Sequence, residues 1–186
     1  SHVRVTVELD GPSPNQLYFR DVRRFGRFLV LPSGEYHALP TLAYMGPEPL
    51  DEAFTAERLA LELQRSRAPV KAWLMSQRPV AGVGNIYVDE ALWRAGIHPR
   101  TPARKVARSR IGPLRDAIVD LLTAAIAAKG TTFSSFRNVA GEAGAYVSRL
   151  DVYGRAGEPC RRCSKALSKA VIGQRTSVFC TRCQRR

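Results

Sequence analysis

Residues 2–9, HVRVTVEL, alternate apolar and polar side chains with period two, the signature of a half-buried strand. Two further short strands are predicted at 16–20 and 27–31, punctuated by DGPSPN, by Gly26 and by PSGE. The first strand is in full course directly after Ser1, so its sheet is expected to be entered without its beginning. From FTAERLALELQRS onward the period becomes helical. Helices are predicted near 54–65, near 70–77, from a glycine turn to about Ala95, and near 113–129. In the last of these, Leu114, Ile118, Leu121, Leu122, Ala125 and Ile126 make one apolar stripe that should face a core, ended by Gly130 after Lys129. A loop rich in Thr, Ser and Gly, 130–148, then leads to a compact cysteine-bearing tail.

The turn that opens the third helix, VAGVGNIYVDEALWRAGIHPR at 80–100, supports two readings. Gly82, Gly84 and Asn85 suit a tight turn with Asn as a helix cap, because glycine accepts positive φ and Asn satisfies an orphan N–H. They equally suit an anion site, since the unpaired donors and dipole of a helix start favour negative charge.

Composition leans towards the anion. The formal net charge is +13 and the pI near 10.4, which point to a polyanionic partner. The charge is also localised: from Gly154 to Arg186 nine Lys or Arg stand against a single acid, Glu158. At 186 residues and 45% apolar content the chain can bury a core as one ordinary domain or two small ones. No stretch approaches the roughly 20 apolar residues of a membrane span and no apolar signal segment opens the chain, so a soluble, intracellular protein with no membrane partner is expected.

All four cysteines lie in CRRC and CTRC, as Cys160, Cys163, Cys180 and Cys183. Two C-x2-C knuckles at this separation match a closed tetrahedral site of four thiolates around one structural Zn²⁺. Disulfides are the competing reading, disfavoured without secretory features, and a redox pair lacks its βαβ context. Between the knuckles SKAVIGQRTSVFC reads as a β-hairpin turning at Gly173-Gln174-Arg175, with Arg175 presented outward. A tail of about 30 residues cannot bury enough core to fold alone, so the metal supplies what packing does not.

At this point RRFGR, GPEPL, VAGVGNIYVDEALWRAGIHP, VYGRAGEPC and GQRTSVFC with CQ, in the order of the chain, resemble the middle and end of the bacterial formamidopyrimidine-DNA glycosylases. These are bifunctional base-excision repair enzymes that remove oxidised purines such as 8-oxoguanine and formamidopyrimidines and then cut the abasic strand by β,δ-elimination. The resemblance implies an α+β multidomain fold: residues 1–47 as the remnant of an N-terminal β-sandwich, 48–147 as a helix-two-turn-helix DNA-binding domain with a lesion-recognition loop, and 148–186 as a zinc-finger domain. It implies a monomer on double-stranded DNA containing oxidised or abasic sites, in the bacterial cytoplasm at the nucleoid. By resemblance Gly84, Asn85, Lys71 and the nearby Arg67 grip phosphates at the lesion, which base flipping requires on both sides of the extruded nucleotide. Arg23 matches the residue that fills the space of the flipped base and Phe25 the wedge in the stack, with Val22 standing where the family usually has Pro. His2 matches a DNA-contacting histidine, and Arg175 a hairpin arginine that contacts phosphates and assists the second elimination. The segment from Thr131 and Thr132 to Tyr146 matches the loop over the everted base.

Family members begin Pro-Glu, the proline amine attacking the sugar C1′ and the glutamate handling protons, and a lysine on an early hairpin takes part. No residue here matches these, so the chain is expected to be inactive alone. A non-catalytic damaged-DNA-binding module, an endonuclease VIII-like enzyme for oxidised pyrimidines, and a zinc ribbon for RNA or protein are the alternatives.

Overall fold

The computed structural model describes residues 2–11, 13–22, 24–35, 39–131 and 145–186. The chain divides into two compact units, 1–43 and 44–186.

In the N-terminal unit β1 (Val3–Glu8) pairs antiparallel with β2 (Gln16–Arg20), with an irregularity in register between Val3 and Val5. The strand expected at 27–31 does not form. Those residues pair with no neighbouring strand among the described residues, and Phe28 instead lays its ring against Phe19 at 5.7 Å. The turn before them is held by Asp21, whose carboxylate accepts from the backbone N–H of Arg24 (2.9 Å) and Gly26 (2.7 Å). A single helical turn, α1 (Pro40–Ala43), ends the unit.

The second unit is helical and ends in a hairpin. Helix α2 (Ala56–Gln64) starts where Thr55 accepts from Arg58 N–H at 3.1 Å, a cap of the usual kind. Helix α3 (Val70–Met75) and helix α4 (Asn85–Arg94) follow, and α4 packs along the long α5 (Arg108–Ala127). Helix α5 begins five residues earlier than the pattern suggested and runs through Pro113, because its first turns are already useful: Ile111 is buried and Arg110 donates to Ala95 O at 3.2 Å. Its stripe of Leu114, Ile118, Leu121, Leu122 and Ala125 joins Phe54, Leu59, Leu63, Leu74, Val88 and Leu92 in one core. Ile126, expected in that stripe, is 64% exposed. The drift of a 3.6-residue period over three turns carries it past the buried face. Strands β3 (Ser168–Ile172) and β4 (Arg175–Phe179) form the terminal hairpin. Its turn is the two-residue Gly173–Gln174, both at positive φ (59° and 61°), a type I′ geometry that places Arg175 at the head of β4. Among the described residues no helix is long and apolar enough to cross a membrane.

Candidate nucleic-acid interface and metal centre

The glycine turn separates its two glycines by role. Gly82 has φ +71°, which L side chains rarely adopt, whereas Gly84 is extended (φ −91°, ψ −176°) and is itself the cap of α4. Asn85, expected as the cap, is the first helical residue. A Cβ added at Gly84 would meet nothing within 4 Å, so the space on that side of the helix start is open. The Asn85 amide reaches Tyr153 Oη at 3.5 Å through Nδ2, while Oδ1 is buried with no partner.

One turn further along α4 stand two buried acids on adjacent sides of the helix, and each holds part of the tail. Asp89 accepts from Ser177 Oγ (2.8 Å) and from Val178 N–H (3.0 Å), and its Oδ1 lies 2.8 Å from Lys71 Nζ. Glu90 accepts from the backbone N–H groups of Asp151, Val152 and Tyr153, all at 2.8 Å. Burial raises the pKa of both acids, opposed by Lys71 at Asp89 and by the three N–H donors at Glu90, and burial lowers that of Lys71. The partners supply the hydrogen bonds without which a buried charge is not tolerated.

Lys71, matched by resemblance to a phosphate contact, is therefore placed inside the protein: it is 0% exposed and also donates to Thr176 O at 2.9 Å. Arg67 and Arg175 are exposed. Thr131 shares a 2.8 Å hydroxyl hydrogen bond with Tyr87, and Tyr146, 2% exposed, packs its ring 6.5 Å from Tyr87. Both ends of the 132–144 segment are thus tied to α4, while Thr132 lies outside the described residues. Arg23 lies outside them too. His2 and Phe25, the latter 81% exposed, belong to the N-terminal unit.

The four cysteine sulfurs lie within 4.8 Å of one another, with Cys160–Cys183 at 3.9 Å and Cys163–Cys180 at 3.5 Å. Tetrahedral Zn–S bonds of about 2.3 Å give S···S edges of about 3.8 Å, so the cluster has the size of a four-thiolate zinc site. No cysteine is in a disulfide. At Cys160 burial opposes ionisation, but the nearby Trp93 side chain and the Arg162 and Cys163 N–H groups prevail and bring the thiol down to about 6. Burial and then the neighbouring thiols push Cys183 up to about 12. Four sulfur donors gathered within this span, two of them buried, match a divalent zinc ion. Outside the ligands, Gln184 accepts from Cys180 N–H (2.8 Å) and donates to Ile97 O (2.9 Å). Arg162 lies 3.9 Å over the Trp93 ring and caps α4 by donating to the carbonyls of Trp93 (2.8 Å) and Arg94 (3.1 Å). Asp89, Glu90, Gln184 and Arg162 were not singled out in the sequence.

A glycine turn heading a buried helix, with a four-cysteine hairpin clamped to that helix, is the arrangement of a helix-two-turn-helix unit joined to a C-terminal zinc finger. Residues 45–137 match the model of the formamidopyrimidine-DNA glycosylase H2TH domain, and 157–186 that of the zinc finger found in FPG and IleRS. The formamidopyrimidine-DNA glycosylase of Deinococcus radiodurans is 45% identical over 98% of this chain, and the match spans 65% of the relative's length. The crystal structure of the MutM (FPG) protein of Thermus thermophilus superposes with a TM-score of 0.91 at 41% identity, covering 98% of this chain and 68% of the other. A Lactococcus lactis Fpg in complex with DNA containing an abasic site gives 0.82 at 34% identity, covering 97% and 70%. The chain belongs to the formamidopyrimidine-DNA glycosylase family, and it spans just under two thirds of the Deinococcus relative.

Proposed function

We propose that this chain is the DNA-gripping and zinc-bearing part of a base-excision glycosylase/AP lyase that removes oxidised purines, 8-oxoguanine and formamidopyrimidines, and cleaves the abasic strand by β,δ-elimination. The observation that carries the reading is the clamp on α4. Asn85 and Asp89 share one face of the helix at i, i+4, and Asp89 grips Ser177 and Val178, so the helix start at Gly84–Asn85 and the strand headed by Arg175 are tied to one helix. Amides at a helix start and an arginine suit the phosphates flanking a flipped nucleotide. In this reading Arg67 adds a phosphate contact, Arg175 assists the final elimination, Arg23 and Phe25 fill and wedge the vacated stack, and His2 contacts the strand. Residues 131–146 cover the everted base. Residues 1–47 are the end of a β-sandwich, 48–147 the helix-two-turn-helix domain with its loop, and 148–186 the zinc finger. The protein works as a monomer on duplex DNA in the bacterial cytoplasm, at the nucleoid, and has no membrane partner.

The test is binding and excision side by side. The 186-residue chain should bind a duplex with a tetrahydrofuran abasic analogue in preference to intact duplex, and Arg175→Ala should lower the salt slope by about 0.9, the share of one phosphate contact. Since none of its residues matches the Pro-Glu amine and glutamate, the chain alone should excise no 8-oxoguanine, and joining a front half that begins Pro-Glu should restore excision and strand cleavage. Equal affinity for intact duplex, abasic duplex and RNA would replace this reading by that of a general zinc-ribbon binder.

A further inference from the structure

The buried pair Lys71–Asp89 has a position that the phosphate reading leaves unused. Lys71 has no exposed surface, and its Nζ is engaged by Asp89 of α4 and by the Thr176 carbonyl of β4, so a DNA phosphate cannot reach it in this arrangement. The two members of the pair both hold atoms that lie one to three residues from Arg175. Nζ donates to the carbonyl of Thr176, the residue that follows Arg175, and its partner Asp89 holds Ser177 Oγ and Val178 N–H. The other side of Arg175 is set by contact: a Cβ on Gly173 would come within 3.0 Å of Ala72 Cβ, so the hairpin turn rests on α3 beside Lys71. Arg175 itself is exposed and makes its backbone pairing only with Ile172 across the turn. Its direction is therefore determined by how β4 is seated.

We propose that Lys71 and Asp89 form a charged strut that positions Arg175, and that Lys71 is a positioning residue and makes no phosphate contact of its own. The inference rests on the DNA-binding reading above. It assigns the charge of Lys71 to Asp89 inside the protein, and it makes Asp89 as important for DNA binding as the lysine. Pairing explains why a cation is tolerated at zero exposure, and the three named donors to one carboxylate explain why the seat is specific rather than merely adhesive.

The two accounts of Lys71 differ in sign and in additivity. Binding of the full chain to the tetrahydrofuran duplex is measured by fluorescence anisotropy across salt concentrations, for Lys71→Met, Asp89→Asn, Ser177→Ala, Arg175→Ala and the pair Lys71→Met/Arg175→Ala, each with zinc content checked. With a strut, Lys71→Met and Asp89→Asn weaken binding in the same direction, Ser177→Ala does so less, and the pair binds within about twofold of Arg175→Ala alone. With a phosphate contact, Asp89→Asn frees the cation and tightens binding, and the pair loses about 1.8 in salt slope, twice the share of one contact. Either of those results overturns the strut. Failure of the wild type to prefer the abasic duplex would count against the functional reading instead, and the strut is then judged without DNA. Hydrogen exchange at the Val178 amide should accelerate in Asp89→Asn and, to a smaller extent, in Ser177→Ala, and unchanged exchange in both overturns it.

Discussion

The helical core and the zinc lobe are held by different physics. Around α5, residues such as Leu59, Leu63, Leu114, Ile118 and Leu121 are completely buried, and apolar area removed from water suffices. The zinc lobe assembles only a small cluster, Trp93, Val152, Leu167 and Val178 around the cysteines, and Trp93 is contributed by α4. What it lacks in apolar contacts is supplied by a metal and by polar side chains of the helical lobe, Asp89 and Glu90, reaching across to its backbone. The lesson is that the lobe's position is as specific as its fold, because hydrogen bonds to named backbone atoms fix orientation where a greasy face would let it slide.

Removing a ligand should break this contrast most completely. Cys160→Ser, or prolonged chelation, is expected to unfold 148–186 and leave α2 to α5 helical; one zinc per chain by elemental analysis falling to none, with far-UV circular dichroism largely retained, checks it. Loss of all helicity with the zinc would mean that the core depends on the lobe. Next in size is a cut into the other side of the comparison. Leu121→Ala should cost about 2–5 kcal/mol in urea unfolding without changing zinc content, since it leaves a cavity in a site with no exposure. Glu90→Gln should cost less, about 1–3 kcal/mol, because it turns one carboxylate oxygen into a donor facing N–H groups. Its signature is faster amide exchange at Asp151, Val152 and Tyr153 with zinc still bound. The smallest effect is a pH dependence. Burial, and then Arg186 and Arg100, hold the His98 pKa below its ordinary value, while the unfolded chain takes the proton at about 6.5. Folding stability is therefore complete above pH 6.5 and declines as pH falls towards the folded pKa, and His98→Asn should flatten that part of the stability profile.

Much of this was legible in the chain because its signals are local. Cysteine spacing announces a metal without any knowledge of the fold, and Gly82–Asn85 announces a helix mouth from a handful of residues. The stripe of α5 marks its own buried face, apart from Ile126 at its edge. What escaped is what depends on distant partners. In VDEALW nothing distinguishes Asp89 and Glu90 from two solvated acids on a helix, since their partners come 61 to 89 positions later. Lys71 carried a hint, a lone charge in the apolar run Val70 to Leu74, which pointed to burial. The residues at 27–31 have strand composition, yet a strand also needs a neighbour, and composition does not provide one.

The placement of Trp93 also makes the protein its own optical gauge. There are two tryptophans, and they divide between the lobes: Trp73 is hydrogen-bonded to the Glu62 carbonyl within the helical unit at 2.9 Å, while Trp93 is roofed by the Arg162 guanidinium and sits against the cysteine cluster. Thiolate neighbours quench indole emission, so wild-type fluorescence is expected to be dominated by Trp73. Withdrawal of the metal should brighten the spectrum and shift it to the red as Trp93 loses its neighbours, and denaturant should then move the Trp73 signal in a separate, later transition. The order of those two changes, read in a cuvette without DNA, reports which lobe lets go first.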